Sequence, residues 1–384
     1  MPAEPHSSLA VPNRRTVLRA VTAATTGLTV STALPATAHA TARGGPAHRT
    51  ELVLLGTCGG PVPMTGRTGI ASALVVDGHA YVVDCGPGAF GQYAKAGLTA
   101  DQLTAVFVTH LHSDHLADLY ALLWLRFGGY QPFTHPVHVY GPGPAGALPA
   151  VAPQGRTVAT VHPAQPTPGL ADLLEHQIAA TAYDINVRMR SEGWPDIRSL
   201  VRAHDITPPA TGAGPTTAMA PPMEPFEVMR DDRVRVTAIL VDHPPVFPSY
   251  AFRFDTADGS VVFSGDTAPT GNLERLARGA DILVHEAMDL AVLEAAGLSP
   301  AQLQHMRTGH TDVTELGPIA DRAGCATLVL SHLVPGGTDL VPDSTWQSKA
   351  HRAGGRLVVG RDLLRLPLPG VRAKGSDRTL MPPL

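Results

Sequence analysis

The sequence is poor in cysteine, in aromatic residues and in charge. Of its 384 residues only three are cysteines, Cys58, Cys85 and Cys325, an odd number spread far apart along the chain. A disulfide-stabilised fold is therefore not indicated, and each thiol is predicted to be a small buried group. Charged residues make up 16% of the chain and the net charge is −4, so the composition does not indicate a broad nucleic-acid-binding surface.

The N-terminal region also lacks an apolar run long enough for a membrane span. Its run from Val17 to Leu34 is short and interrupted by threonine. Arg14-Arg15 precede this run, and Ala38-His39-Ala40 follow it with the pattern of a cleavage site. This order predicts a twin-arginine signal peptide over residues 1–40 and export to the cell envelope or the extracellular space. The alternative is an unstructured N-terminus that happens to contain two arginines.

The densest group of reactive side chains lies between residues 105 and 119. Apolar residues 105–108 predict a buried strand, and four possible metal ligands follow within six positions: His110, His112, Asp114 and His115. Side chains two positions apart in an extended segment point the same way, so His110 and His112 can bind one cation. Asp114 and His115 lie where the loop turns into a helix and can bind a second. Because imidazole and carboxylate are good zinc ligands, the pattern predicts a metal site at the edge of a sheet.

Three further predicted strands each end in a possible ligand. These residues are His243, Asp266 and His332. Any one of them alone is more simply explained as an ordinary surface or core residue. Together with the group at 110–115 they make seven possible ligands, about the number that two zinc ions need when a carboxylate bridges them.

The alternation of strands and helices predicts one α/β catalytic domain over residues 50–366. Within it, Asp77-Gly78 separates two apolar runs and is typical of a tight hairpin turn. Between about residues 142 and 232, proline and glycine flank a segment with helical periodicity. We expect a helical insertion there, which is either a lid over the site or a decorative insertion without a role in it. Residues 367–384 are polar and rich in proline, which predicts a flexible tail.

Eight short motifs give the chain a family resemblance. They are LLGTCGGPVP, VVDCGPG, THLHSDHLADL, VDHPP, VVFSGDT, LVHEA, TGHTD and VLSHL. With these motifs the chain resembles the metallo-β-lactamase-fold hydrolases, in their ribonuclease Z and arylsulfatase-like branch. The resemblance implies an αββα sandwich of two mixed β-sheets flanked by helices. It also implies two zinc ions, one bound by His110, His112 and His243, the other by Asp114, His115 and His332, with Asp266 bridging them.

The resemblance implies further roles around the metals. His310 would be the general acid for the leaving group, and Glu286 would fix its tautomer and raise its pKa. With Asp114 these two residues form the predicted catalytic set. Asp84 would orient a ligand histidine, although it can equally be a turn former at a strand end. The alternative for His310 is a loop histidine without a role, and His285 is expected to be structural.

Departures from the family pattern shape the predicted function. The ribonuclease Z branch carries a long basic arm for tRNA between the positions of His243 and Asp266, where this chain has only a short hairpin. Together with the export signal, this absence favours a small-molecule ester substrate, a phosphodiester or an aryl sulfate, attacked by a hydroxide held between the metals. A nucleic-acid partner is then not expected, and a homodimer is possible. The alternatives are a tRNA 3′ endonuclease and a catalytically silent metal-binding module.

Two single positions separate the chain from other branches of the family. β-Lactamases of the fold typically carry cysteine where Asp266 stands, so cleavage of β-lactams is not favoured. Redox relatives with a di-iron centre carry glutamate at the position of Ser113, so hydrolysis is favoured over redox chemistry.

Overall fold

Two seven-stranded sheets form the centre of the computed structural model, which describes residues 50–62, 64–151 and 156–370. The predicted signal segment 1–40 lies outside the described residues, as does the predicted tail from residue 371 onwards. Among the helices described, none has the length and apolar character needed to cross a bilayer.

The first sheet has the spatial order β14-β1-β2-β3-β4-β5-β6. Its strands are β1 (Thr50–Gly56), β2 (Ala71–Val76), β3 (His79–Val83), β4 (Leu103–Phe107), β5 (Val137–Pro142), β6 (Val201–Ile206) and β14 (Arg365–Pro367). The pairs from β14 to β3 are antiparallel. The pairs from β3 to β6 are parallel, so this sheet is mixed.

The second sheet repeats this pairing pattern in the order β13-β12-β11-β10-β9-β8-β7. Its strands are β7 (Phe226–Arg230), β8 (Val234–Leu240), β9 (Tyr250–Thr256), β10 (Gly259–Phe263), β11 (Ile282–Met288), β12 (Thr327–Val334) and β13 (Arg356–Val359). The pairs from β7 to β10 are antiparallel and those from β10 to β13 are parallel. Two mixed sheets confirm the predicted architecture.

The main core lies between the two sheets. Apolar side chains of both sheets belong to one buried cluster, in which Phe107 of β4 contacts Phe252 and Phe254 of β9. The ring centroids of these pairs lie 5.6 Å and 5.0 Å apart in edge-to-face geometry. Such aromatic pairs stabilise a core by more than their buried area alone. The few aromatic residues of the chain thus help to hold the sheets together.

Helices cover the outer faces of both sheets. The first sheet carries α1 (Ala89–Lys95), a 3-10 turn (Ala100–Gln102), α2 (Ser113–Leu116), α3 (Leu119–Trp124), α4 (Leu170–Ala180), α5 (Ala182–Ser191) and α6 (Ile197–Leu200) in its connections. The connections of the second sheet carry α7 (Gly271–Leu276), α8 (Leu290–Ala295), α9 (Pro300–Gly309), α10 (Val313–Ala323) and α11 (Asp343–Lys349). Buried residues of α3 and α4 pack with β5 in a second apolar cluster, which completes the αββα layering.

The hairpin between β2 and β3 follows the sequence prediction. Asp77 and Gly78 both have positive φ, 49° and 82°. A two-residue turn with both φ values positive matches the twist of the flanking strands, and glycine adopts it without steric cost.

The predicted helical insertion at 142–232 is only partly helical. It contains α4, α5 and α6, but also β6 and β7, which form the outer edges of the two sheets. The sequence pattern concealed these strands because edge strands face solvent: in β6, Arg202 and Asp205 are exposed. The segment is therefore part of both sheets rather than an addition to them.

The predicted tail begins too early. Pro367 pairs with Glu51 in β14, the next residue, Leu368, is fully buried, and Gly370 donates its N–H to the carbonyl of Asp258. The folded domain thus continues to residue 370, because a single apolar residue among prolines fills a core position at the edge of the first sheet.

Candidate metal centre

The seven side chains predicted as metal ligands converge at one edge of the sandwich. β4 leads into the loop with His110 and His112, and α2 then carries Asp114 and His115. The other members, His243, Asp266 and His332, come from the ends of β8, β10 and β12. All seven are buried except His112, which is half-buried.

Four of these residues form a first group: His110, His112, His243 and Asp266. Nε2 of His243 lies 3.3 Å from Nδ1 of His112, and Nε2 of His110 lies 3.8 Å from Oδ2 of Asp266. Burial lowers the pKa of His243 to about 3 and that of His110 well below its usual value. These imidazoles are therefore neutral, and each has a lone pair for a cation.

A second group consists of Asp114, His115, Asp266 and His332. Oδ2 of Asp266 lies 3.4 Å from Nε2 of His115 and 3.3 Å from Nε2 of His332. Oδ2 of Asp114 lies 3.4 Å from the same atom of His332. Asp266 belongs to both groups, which places one carboxylate between them.

The buried polar atoms at this centre fit a metal. Nε2 of His110, Nε2 of His115 and Oδ1 of Asp266 are buried and have no hydrogen-bond partner among the described residues. Burial opposes a charge on His115, but the carboxylates of Asp266 and Asp84 outweigh it and raise its pKa well above the usual value. These carboxylates thus attract a positive charge to the centre, which a divalent cation would supply in place of the proton.

Neighbouring groups fix the orientation of two ligand imidazoles. Nδ1 of His115 hydrogen-bonds to Oδ2 of Asp84 at 2.9 Å, and Nδ1 of His243 donates to the Gly309 carbonyl at 2.7 Å. Asp84 also accepts from the N–H of Thr109 at 2.8 Å and has a positive φ of 59°. Hydrogen bonds at Nδ1 leave Nε2 of both rings as the atom that faces the centre. Asp84 therefore lies where the resemblance implied.

His310 and Glu286 form a buried pair beside Asp266. Nδ1 of His310 lies 2.8 Å from Oε2 of Glu286, whose Oε1 accepts the N–H of Thr267 at 2.6 Å. Burial disfavours the charged imidazole, but Glu286 outweighs burial and raises the pKa of His310 to about 9. Glu286 therefore favours the protonated form of His310. Glu286, His310 and Asp266 are also close enough together to hold an ion.

His285 makes no hydrogen bond to the side chains of this pair among the described residues. Its Nδ1 hydrogen-bonds to the carbonyl of Glu286 at 2.8 Å, it is fully buried, and burial lowers its pKa to about 4. It belongs to none of the groups of possible ligands among the described residues.

An open cleft of about 250 Å³ leads to the centre. Its walls include four of the seven ligand side chains and a set of apolar residues: Pro61, Met288, Met306 and Val334. None of the described residues of 142–232 lines it. Among the described residues, α2 borders the cleft through Ser113 and Asp114, and α9 borders it through His305 and Met306.

Sequence reasoning missed His305. Its ring centroid lies 5.6 Å from that of His310 and 5.9 Å from that of His243. The available signal was the position of His305 and Met306, four and three residues before Gly309, on a helix capped by Ser299. No motif accompanies them.

Comparisons of this chain with a family model, with known proteins and with solved structures agree on its family. A model of the metallo-beta-lactamase superfamily matches residues 65–305. The ribonuclease Z of Mycobacterium sp. (strain KMS) is 34% identical over 334 residues, 84% of this chain and 98% of the relative. That of Mycobacterium bovis (strain BCG / Pasteur 1173P2) is 32% identical over 319 residues, 82% and 97% of the two chains. The crystal structure of human tRNase Z, short form, is similar in fold, with a TM-score of 0.55, 20% identity and coverage of 83% and 99%.

The fold and the centre together define a metal-dependent hydrolase. The chain belongs to the metallo-β-lactamase superfamily and, within it, to the ribonuclease Z branch.

These comparisons contradict the predicted small-ester substrate and the expectation that no nucleic acid is bound. Relatives matched over nearly their whole length are ribonucleases, not sulfatases or small-molecule esterases. The prediction relied on the missing basic arm and on the export signal, and the net charge did not indicate a broad nucleic-acid-binding surface. Net charge is a sum over the whole surface, and it does not report on a local site where phosphate binds.

Proposed function

We propose that the protein is a ribonuclease of the ribonuclease Z type that removes 3′ extensions from precursor tRNA. The observation that carries this proposal is the 34% identity over 98% of the length of a ribonuclease Z. The intact set of possible ligands and the pair of His310 and Glu286 also support it. A silent metal-binding module is disfavoured, because a protein without catalysis has no need of a buried acid beside the ligands.

We also propose that the centre holds two zinc ions, with the ligand division given by the two groups that share Asp266. Bound cations of this kind activate water for attack and offset charge on the phosphate. Asp84 and Gly309 keep the rings of His115 and His243 turned towards the centre.

His310 supplies the proton that the leaving group needs. In the hydrolysis, the oxygen of water forms a bond to phosphorus and releases a proton to the solvent, the bond from phosphorus to a ribose oxygen breaks, and the proton of His310 goes to that oxygen. Glu286 keeps the imidazole charged beforehand, and the N–H of Thr267 holds Glu286 in place. Water is the second reactant of this hydrolysis. The reaction therefore requires no cofactor other than the metal.

The test is cleavage of a labelled tRNA precursor with a 3′ extension by the purified, zinc-loaded protein. We expect a single product of mature length, produced over many turnovers. Mature tRNA and an unrelated hairpin RNA serve as controls for general RNase activity. Metal-loaded protein that leaves the precursor intact at stoichiometric concentration would overturn the proposal and favour the silent module.

A further inference from the structure

The cleft beside the metal centre has an apolar lining that comes from three separate parts of the fold. Met288 and Val334 are register partners on the neighbouring parallel strands β11 and β12. Side chains of register partners leave a sheet on the same side, so these two lie next to each other in the lining. Met306 of α9 and Pro61 of the loop after β1 complete it.

Backbone hydrogen bonds hold two of these parts together. The N–H of Asp289 donates to the carbonyl of Val334 at 2.9 Å, which ties the end of β11 to the end of β12. The loop after β1 is joined to β12 in the same way, since the N–H of Gly59 donates to the carbonyl of Leu333 at 3.1 Å. The apolar lining is therefore preformed, as is usual for a binding site.

Helix α9 is fixed in the position that brings Met306 to the cleft. Ser299 caps its first turn by accepting the N–H of Gln302 at 3.3 Å. Arg307, the residue after Met306, forms an ion pair with Glu294 of α8 at 2.5 Å. Met306 is half-buried, and its unbranched, polarizable thioether is well suited to contact with an aromatic ring.

The chemistry of the lining favours a flat aromatic group over a charged one. Thioether, proline and valine side chains offer no strong hydrogen bond that could distinguish one nucleobase from another, whereas every base presents a π face to them. The other side chains that line the cleft are ligands, the proposed acid, Ser113 and His305. A base in this lining is therefore bound by contact with its faces.

His310 identifies the nucleotide that meets this lining. It lines the same cleft as Met306, and in the proposed reaction it gives its proton to the ribose oxygen that leaves. The ribose that carries this oxygen then lies at His310, inside the cleft. The base of that nucleotide is attached to the same sugar, whereas the base on the other side of the cut is separated from it by the scissile phosphate.

We propose that Met288, Met306 and Val334 bind the base of the nucleotide whose 3′-oxygen leaves, and that they accept any of the four bases. The inference rests on the proposed function, since it needs an RNA substrate. Contact with the base holds the attached ribose against His310, so Met306 contributes to the placement of the leaving oxygen.

The test compares three precursors: a complete one, one without the base immediately 5′ of the cut, and one without the base immediately 3′ of it. For the native protein we expect kcat/KM to fall about tenfold when the 5′ base is missing, as for the loss of one base contact. Loss of the 3′ base should change it little. Precursors with each of the four bases at the 5′ position should be cleaved at similar rates.

Variants of α9 connect this effect to Met306. Met306→Ala should cleave the complete precursor and the one without the 5′ base at nearly the same reduced rate. Met306→Leu keeps an apolar side chain of similar size and should retain most of the difference. Gln304→Ala, an exposed change on the same helix, should behave like the native protein. Zinc content is measured for every variant and should be native in all of them.

The outcomes separate the two proposals. A purely structural role for Met306 would lower the rates on both precursors and keep their ratio, which would overturn the inference. Native protein that is indifferent to the 5′ base, that loses as much rate without the 3′ base, or that cleaves after only one kind of base would also overturn it, with the ribonuclease activity intact. Failure to cleave the complete precursor would instead overturn the proposed function, and this inference with it.

Discussion

Asp266 is the residue that joins the two groups of possible ligands. Its Oδ2 lies within 3.8 Å of Nε2 of His110 and within 3.4 Å of Nε2 of His115, although these histidines belong to different groups. It is almost completely buried, so no water can replace its carboxylate without rearrangement.

We expect Asp266→Ala to lose both ions and all activity, because each group loses its shared ligand. Zinc content of the purified variant, measured by atomic emission, and cleavage of the precursor check this result. Asp232→Ala, which removes an exposed carboxylate between β7 and β8, is the matched control and should retain both. A variant of Asp266 that binds zinc at the native stoichiometry would contradict the assignment.

We expect His310→Ala to bind zinc normally but to lose about a hundredfold or more in kcat, the contribution of a positioned general acid. A substrate with sulfur in place of the leaving oxygen should be cleaved by the variant nearly as fast as by the native protein, because a thiolate leaves without a proton. Glu286→Gln should show the same pattern more weakly. If the variant is equally slow on both substrates, His310 acts in binding or structure instead.

The three thiols should be unreactive in the folded protein. Burial raises the pKa of Cys58 and of Cys325 to about 11 and that of Cys85 well above its usual value. At pH 8 less than about 1% of each thiol is then ionised, and reaction with a disulfide reagent should speed up about tenfold per pH unit. The same reagent should titrate three thiols in denaturant. A thiol that reacts within seconds at pH 8 in the native protein would contradict this prediction.

The loop between β1 and β2 depends on a glycine that packs against a ligand. A Cβ at Gly59 would lie 2.3 Å from Nδ1 of His332 and 2.6 Å from a methyl group of Val334. Such contacts force the ring or the loop to move, whereas a Cβ at Gly60 meets nothing within 4 Å. A side chain at Gly59 would thus meet a ligand, whereas at Gly60 the backbone meets one, because its N–H donates to Oδ2 of Asp114 at 3.0 Å.

We expect Gly59→Ala to weaken zinc binding by about tenfold or more, since displaced ligands bind less well. Gly97→Ala is the control: its φ of 76° costs about 1 kcal/mol of stability, but its side chain would meet nothing within 4 Å and no ligand. Competition with a zinc-binding dye measures the affinity, and thermal unfolding measures the stability. Equal zinc affinities for the two variants would contradict the role given to Gly59.

At the scale of elements, the sequence predicts a strand whose apolar run is buried and misses strands that face solvent. β4 is found where the apolar residues 105–108 predicted a strand, because four of its five residues are buried between neighbouring strands. β6 and β7 lie at sheet edges, where polar residues interrupt the apolar pattern, and β14 has only three residues. The group at 110–115 could be predicted because its ligands are local in sequence. His305 could not, since only the tertiary packing of α9 brings it to the cleft.

At the scale of the whole molecule, the substrate could not be predicted from composition. The net charge of −4 and the low charge content describe an average surface. The 34% identity to a ribonuclease Z extends over 98% of the length of that relative and 84% of this chain. This likeness therefore carries information that is distributed along most of the chain. The missing basic arm is one local difference, and it carries less information about the substrate than this distributed likeness.

The export prediction also belongs to the whole chain. We expect the protein made from the full gene to begin at Thr41 outside the cytoplasm, because Arg14-Arg15 and the Ala38-His39-Ala40 pattern fit a twin-arginine signal. Arg14→Lys combined with Arg15→Lys should retain the precursor in the cytoplasm, whereas Arg43→Lys should not. N-terminal sequencing and cell fractionation check this. Native protein found in the cytoplasm with its first forty residues in place would contradict it.

The pairing of β14 with β1 brings the two limits of the folded domain side by side. The N–H of Leu368 donates to the carbonyl of Thr50 at 3.0 Å. A short linker from residue 370 to residue 50 would therefore close the domain into a ring without disturbing either sheet, and the ring can be reopened at an exposed loop. Circular permutants with this linker should fold, and so should proteins with a reporter domain inserted into it. The linker does not interrupt any pair of strands that leads to a metal ligand.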